Sequence, residues 1–136
     1  MAKPNNVGVG VAAIIFNSDG KVLLIKRKGA HASGVWAAIG GWIDYDDCSI
    51  ENAVIREIKE EVGLKVCDLK MLTVTTELHS EIEVRSVTLY FTCTHELSTK
   101  IHIMEPQKID AAMWFNLNSL PKNLYPGLED VLIMIK

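Results

Sequence analysis

The chain has 136 residues, 49% of them hydrophobic, which suffices for one core and leaves no room for a second folding unit, so residues 1–136 read as a single domain. Its 14 Lys and Arg against 17 Asp and Glu leave a formal charge of -3, which lacks the basic excess of a duplex-binding surface and argues against duplex nucleic acid as a partner. The apolar run Val7 to Phe16 is too short to span a bilayer, and the odd set Cys48, Cys67 and Cys93 contains no C-x-x-C pair, which argues against a disulfide framework and a zinc site. The expectation is a cytoplasmic protein without membrane contact.

Val7 to Phe16 is apolar on both parities and predicts a strand, turning at Asn17-Ser18-Asp19-Gly20 into a second strand over Lys21 to Arg27. Gly8, Gly10 and Ala12 share one face of the first strand, so either a packed helix or a ligand approaches the backbone there. Lys26-Arg27-Lys28 then leads into the small-residue loop Gly29 to Gly34, which contains His31. This basic run is either a solvated loop edge or a phosphate contact. Val35 to Ile39 reads as a short strand broken by Gly40-Gly41.

A helical pattern follows from Ile50 to Val62, with Asp47 or Ser49 as N-cap and Gly63 as the stop. Val54, Ile55, Ile58 and Val62 form its apolar face. Glu57, Glu60 and Glu61 stand at i, i+3 and i+4, three carboxylates on one face, where like charges cost about 0.2–0.5 kcal/mol per pair. A hard divalent ion reverses that sign. Mg²⁺ takes oxygen ligands and completes its shell with waters and substrate phosphates, so the pattern points to a metal-phosphate site.

Leu69 to Leu78 and Ile82 to Thr94 predict a long hairpin turning at His79-Ser80-Glu81. His79 and His95 read as surface residues. Ala111 to Phe115 predicts a strand, Asn118 to Pro121 a helical turn, and the segment after Pro126 a final helix. The order β-β-β-α-β-β-β-α predicts an α+β fold, an α/β/α sandwich with a mixed sheet between helices.

On these residues the stretch Gly41 to Leu64 resembles a Nudix box, G-x5-E-x7-R-E-U-x-E-E-x-G-U with U aliphatic. Arg56, Glu57, Ile58, Glu60, Glu61, Gly63 and Leu64 match every specified position of its second half. The first half departs: with Gly41 in place of the leading Gly, Asp47 stands where the family has Glu, and eight residues rather than seven separate it from Arg56. Val7 to Val11, Leu23 to Gly29, Gly34 to Trp36 and Met113 to Phe115 are similar to the MutT-like branch that cleaves nucleoside triphosphates, although Ile39 replaces the proline usual before the glycine pair.

The resemblance implies a Nudix-type mixed sheet and hydrolysis of a nucleoside diphosphate linked to a group X, with Mg²⁺ or Mn²⁺ as cofactor. Glu57, Glu60 and Glu61 would be metal ligands, Gly41 would add its carbonyl, and Asp47 would stand in for the missing Glu. Arg56 would hold the glutamates by ion pairing, while one of Glu57 and Glu60 orients or deprotonates water. Lys26, Arg27 and Lys28 are candidates for phosphate oxygens; Trp36, Trp42, Tyr90 and Phe16 are candidates for base stacking or for the core. An acid outside the box would come from Glu77, Glu81, Glu83, Glu96 or Glu105. The leading expectation is a nucleoside triphosphate pyrophosphatase, acting on oxidised or unmodified nucleotides. ADP-ribose or nucleotide-sugar cleavage is the alternative among enzymes, and a nucleotide-binding regulatory module without turnover is the alternative of another class. Monomer and homodimer both remain open.

Overall fold

The computed structural model describes residues 6–29 and 33–136, so His31 lies outside the described residues. Strand β1 (Val7–Phe16) is the axis of the sheet. Its two parities enter two cores: Val11, Ala13 and Ile15 pack with the helix on one side, and Ala12 and Ile14 pack on the other. This is why the sequence is apolar throughout rather than alternating.

One edge of β1 pairs in parallel with β6 (Val84–His95) along its whole length, from Val7 opposite Arg85 to Phe16 opposite Thr94. The other edge is divided. Gly10 to Ala13 pair antiparallel with β4 (Ile39–Trp42), whereas β2 (Val22–Arg27) meets β1 only where Phe16 faces Val22. The expected turn is present, with Asn17 Oδ1 accepting from the Asp19 and Lys21 N–H groups at 3.0 and 2.9 Å. Beyond it the hairpin opens, because β2 leaves β1 to pair with β3 (Trp36–Ala37) and β7 (Ile109–Phe115). The opening between β4 and β2 is where the cleft described below begins.

The glycine pair does not end a strand, as its composition suggested. Gly40 and Gly41 lie inside β4, opposite Ala12 and Val11. A Cβ on Gly40 would collide with the Val11 carbonyl oxygen and stand 2.9 Å from Ala12 Cα, so the close approach of the two strands requires glycine.

Helix α1 (Ile50–Val62) follows. Ser49, in extended conformation, caps it by accepting from the Asn52 N–H at 3.0 Å, and Gly63 at φ 66° closes it by donating to the Ile58 and Lys59 carbonyls. Ala53, Val54, Ile58 and Val62 bury its inner face. Complete burial of Ile58 and Val62 contributes on the order of 1.5–3 kcal/mol each. Ile55, expected on that face, is 49% exposed because the core accepts a narrower stripe than the hydropathy pattern offered.

The second hairpin is as read, though longer: β5 (Val66–His79) pairs antiparallel with β6 across a 3₁₀ turn at Ser80–Ile82. The helical turn expected over Asn118 to Pro121 is replaced by a tight turn in which Asn116 Oδ1 accepts from the Asn118 N–H at 2.9 Å. Helix α2 (Leu128–Ile133) is shorter than its apolar pattern, and it buries Leu128, Val131 and Leu132 on the second core. Among the described residues the result is an α+β sandwich with a mixed sheet of seven strands between two helices. Among the described residues no helix is long and apolar enough to cross a membrane.

The two kinds of glycine predict a contrast. Gly40→Ala should destabilise the fold by about 1–3 kcal/mol through overpacking against β1. Gly20→Ala, at φ 75° with nothing within 4 Å of the new methyl, should cost only about 1 kcal/mol of backbone strain. Urea unfolding of both variants checks the order.

Candidate active site

Arg56 organises the site. Its guanidinium donates through Nε and Nη2 to the two Asp47 oxygens at 2.8 and 2.9 Å, and through Nη1 to Glu57 Oε1 at 2.9 Å and Glu60 Oε2 at 3.2 Å. Nη2 also reaches the Trp42 carbonyl at 3.2 Å. Asp47 Oδ2 accepts from the Asp44 N–H at 2.7 Å, closing the loop before the helix. The hydrogen bond from Arg56 holds the Asp47 carboxyl below the usual carboxylate range, and Asp47 in turn raises Arg56. With both oxygens engaged, Asp47 serves as the anchor of the lead-in loop, and the geometry does not favour it as the metal ligand that its place in the motif suggested.

The carboxylates differ in exposure. The Glu60 side chain is 49% exposed and that of Glu57 12%, while Glu61 as a residue is buried at 6%. Burial raises the Glu57 carboxyl, opposed by Arg56. Burial, and then the neighbouring charge of Glu57, push Glu61 up to about 8 against the Gly40 N–H, which donates to Glu61 Oε1 at 3.1 Å. Hydrogen bonding between the two carboxyls lowers Glu57 and raises Glu61 further. Glu105 adds a further negative charge facing Glu61. Its loop is tied to the end of α1 by the Met104 N–H donating to the Glu61 carbonyl and the His102 N–H donating to the Val62 carbonyl, both at 3.0 Å.

These oxygens are the donor type of a hard divalent ion, and the buried Glu61, which Arg56 does not reach, is balanced by either a proton or a cation. Among the described residues no three such side chains already stand at ion-holding distance, since Arg56 engages Glu57 and Glu60. Gly41 is tight against the cluster, for a Cβ there would stand 2.6 Å from Glu57 Oε1. The backbone edge that meets the carboxylates belongs to Gly40, through its N–H. The Gly41 carbonyl oxygen lies on the β1 side, 3.2 Å from where a Gly10 Cβ would be.

Glu57, Glu60, Glu61 and Glu105 open into a cleft of about 740 Å³ that Arg27, Lys28 and Lys108 also line, with Lys108 Nζ 3.5 Å from Glu105 Oε2. Lys28 Nζ reaches the Pro106 carbonyl at 3.5 Å, and Arg27 Nε is buried without a hydrogen-bond partner. Two expected contacts are not brought here. Lys26 and Trp36 face each other across β2 and β3, and Trp36 packs edge-on against Phe115, at 4.9 Å between centroids, in the second core. Phe16 joins that core too, while Trp42 and Tyr90 line the cleft. Of the candidate outer acids only Glu105 reaches it. His79, read as a surface residue, is 7% exposed and lines the cleft with Ser86 and Tyr125. Ser86 and Tyr125 carried no motif, and only the β5–β6 register and the return of the chain before α2 bring them together.

Comparison with known proteins agrees with this geometry. The NUDIX domain family matches residues 6–133. The chain belongs to this family. Among solved structures, the MutT NUDIX hydrolase from Burkholderia pseudomallei superposes with a TM-score of 0.87 at 32% identity, covering 96% of this chain and 98% of that one. Among curated relatives, the ADP-ribose pyrophosphatase of Methanocaldococcus jannaschii is 48% identical over 50 residues, 37% of this chain and 29% of its own length. The NAD-capped RNA hydrolase NudC of Stutzerimonas stutzeri is 27% identical over 116 residues, 79% of this chain and 37% of its own length. This Nudix chain therefore spans about a third of the length of these two curated relatives.

The raised Glu61 carboxyl predicts a pH dependence for the metal-free protein. The unfolded chain releases this proton near 4.5 and the folded one near 8, so folding is penalised increasingly across that interval and the penalty is complete above it. Glu61→Gln keeps an acceptor for the Gly40 N–H and removes the charge. In the presence of a chelator it should raise Tm at pH 9 and change it little at pH 4, as thermal unfolding at the two pH values would show.

Proposed function

We propose that this Nudix chain hydrolyses a nucleoside diphosphate linked to a group X, with a nucleoside triphosphate as the favoured substrate and nucleoside monophosphate and pyrophosphate as products. The observation that carries the reading is that one cleft is lined both by the carboxylate cluster and by the basic side chains of Arg27, Lys28 and Lys108. A polyphosphate needs both: cations for its terminal oxygens and a divalent ion at the bond that breaks. The cleft volume suits a nucleotide-sized ligand.

Glu57, Glu60 and Glu61 would hold Mg²⁺, or Mn²⁺ in its place, and Gly40 is better placed than Gly41 to add a backbone carbonyl. When bound, the ion neutralises phosphate charge and acidifies a water. Binding of the cation would require Glu61 to be ionised, so the cluster would release a proton. Arg56 keeps Glu57 and Glu60 in register and, through Asp47, ties them to the loop that carries Trp42. Glu60, the exposed member, accepts the proton of the attacking water. The water oxygen bonds to phosphorus as the bridging P–O bond breaks, and pyrophosphate leaves along the wall of Arg27, Lys28 and Lys108, which binds it by charge.

A second reading, cleavage of ADP-ribose or a nucleotide sugar, is favoured by the similarity to the Methanocaldococcus ADP-ribose pyrophosphatase. The same cluster serves it, with a sugar phosphate as the leaving group.

One set of assays tests both. Phosphorus NMR of reactions with dNTPs, oxidised dNTPs, ADP-ribose and nucleotide sugars should show monophosphate and pyrophosphate from a triphosphate, and a chelator should abolish turnover. Glu57→Gln should lower kcat by roughly 100-fold or more while the fold persists. Binding of nucleotides with no turnover of any panel member would instead assign the chain to the non-catalytic nucleotide-binding modules.

A further inference from the structure

Three polar residues are buried among the described residues: Glu61, His79 and Ser86. The carboxylate cluster accounts for the first. The other two line the same cleft, where His79 Nε2 and Ser86 Oγ share a hydrogen bond at 3.0 Å and the Tyr125 hydroxyl stands 3.4 Å from the same nitrogen. Such a pair is not required by the sheet, since replacing both partners with apolar groups of similar shape is close to neutral for stability.

The surroundings leave room above it. Gly8, Gly10 and Ala12 of β1 lie beside Ser86, Thr88 and Tyr90 of β6, so this floor is low and carries hydroxyls. Trp42, 48% exposed, pairs with Gly10 and rests its ring against Gly8, where a Cβ would be 2.6 Å from it. The glycines thus seat an aromatic face at the cleft wall. Tyr125 is held at its place by the Arg27 guanidinium, 5.4 Å over its ring.

We infer that His79, Ser86 and Tyr125 form the subsite that reads the nucleobase of the substrate, with Trp42 offering a stacking face and Arg27 joining this subsite to the phosphate wall. An imidazole and two hydroxyls offer both donors and acceptors at fixed positions, which matches the amino and carbonyl edge of a heterocycle. The anionic tail is drawn to Lys28 and Lys108. The inference rests on the proposed nucleotide reading and assigns the part of the cleft that the metal chemistry leaves unused.

The test uses Ser86→Ala and Tyr125→Phe, the latter retaining the ring beneath Arg27. KM and kcat are measured for the four dNTPs with Mg²⁺, and binding of the four nucleoside monophosphates and of inorganic pyrophosphate is measured by calorimetry in chelator. The expected result is a base-dependent rise in KM and monophosphate Kd, roughly three- to tenfold for the preferred base and smaller for the others, with kcat changing less and pyrophosphate binding unchanged. An equal change for all four bases, or a lowered Tm with unaltered base preference, would overturn the subsite while leaving the hydrolase reading intact. Base-dependent monophosphate binding without turnover of any dNTP would sink the triphosphate reading and retain the subsite.

Discussion

The guanidinium of Arg56 is the interaction on which the site depends. Its planar fork joins a loop, a strand and a helix in one geometry: Asp47 through two hydrogen bonds, the Trp42 carbonyl at the end of β4, and Glu57 and Glu60 on its own helix. A lysine offers a point charge in place of this fork and could not hold five oxygens in fixed directions. The shortened carboxylate at Asp47 and the extra residue before the helix are accommodated at this junction, because the loop is closed by the Asp44 N–H and held by Arg56. The departure from the family pattern thus leaves the helix with its carboxylates facing the glycine pair.

The second constraint is the division of β1. By pairing with β4 over part of its length and with β2 only at Phe16, this strand opens the sheet on one edge. The gap is lined by α1 carboxylates on one wall and by the ends of β2 and the loop before β7 on the other. Acidic and basic side chains thereby share one cleft, and they meet at Lys108, whose Nζ lies 3.5 Å from Glu105 Oε2. Among the described residues Glu61 is buried with its carboxyl turned to the backbone of Gly40, while Arg56 bonds to Glu57 and Glu60.

Much of the fold was legible because periodicity reports burial directly. The two-parity apolar run of β1, the Gly63 stop of α1 and the hairpin of β5 and β6 were read from local chemistry and occur as read, and of the two N-cap candidates the helix uses Ser49. The errors share one cause, that exposure depends on what packs opposite. Ile55 belongs to an apolar arc that no neighbour covers, and His79 ends a strand whose terminus is covered by Tyr125. Gly40 and Gly41 looked like a break in a strand because glycine weakens strands, yet β1 approaches so closely that only glycine fits. Trp36 and Lys26 looked available beside a basic loop, but the pairing of β2 with β3 turns them away from the cleft.

The amino-acid sequence by itself determined the family and the carboxylate stripe, since Arg56, Glu57, Glu60 and Glu61 are set by helical spacing within a few turns of chain. Only the tertiary structure decided which oxygens Arg56 holds, which glycine presents its backbone edge to Glu61, and that His79, Ser86 and Tyr125 share one wall of the cleft. Those contacts join residues from β4, α1, β5, β6 and the segment before α2. Their distances follow from strand register and sheet divergence, which no local pattern encodes.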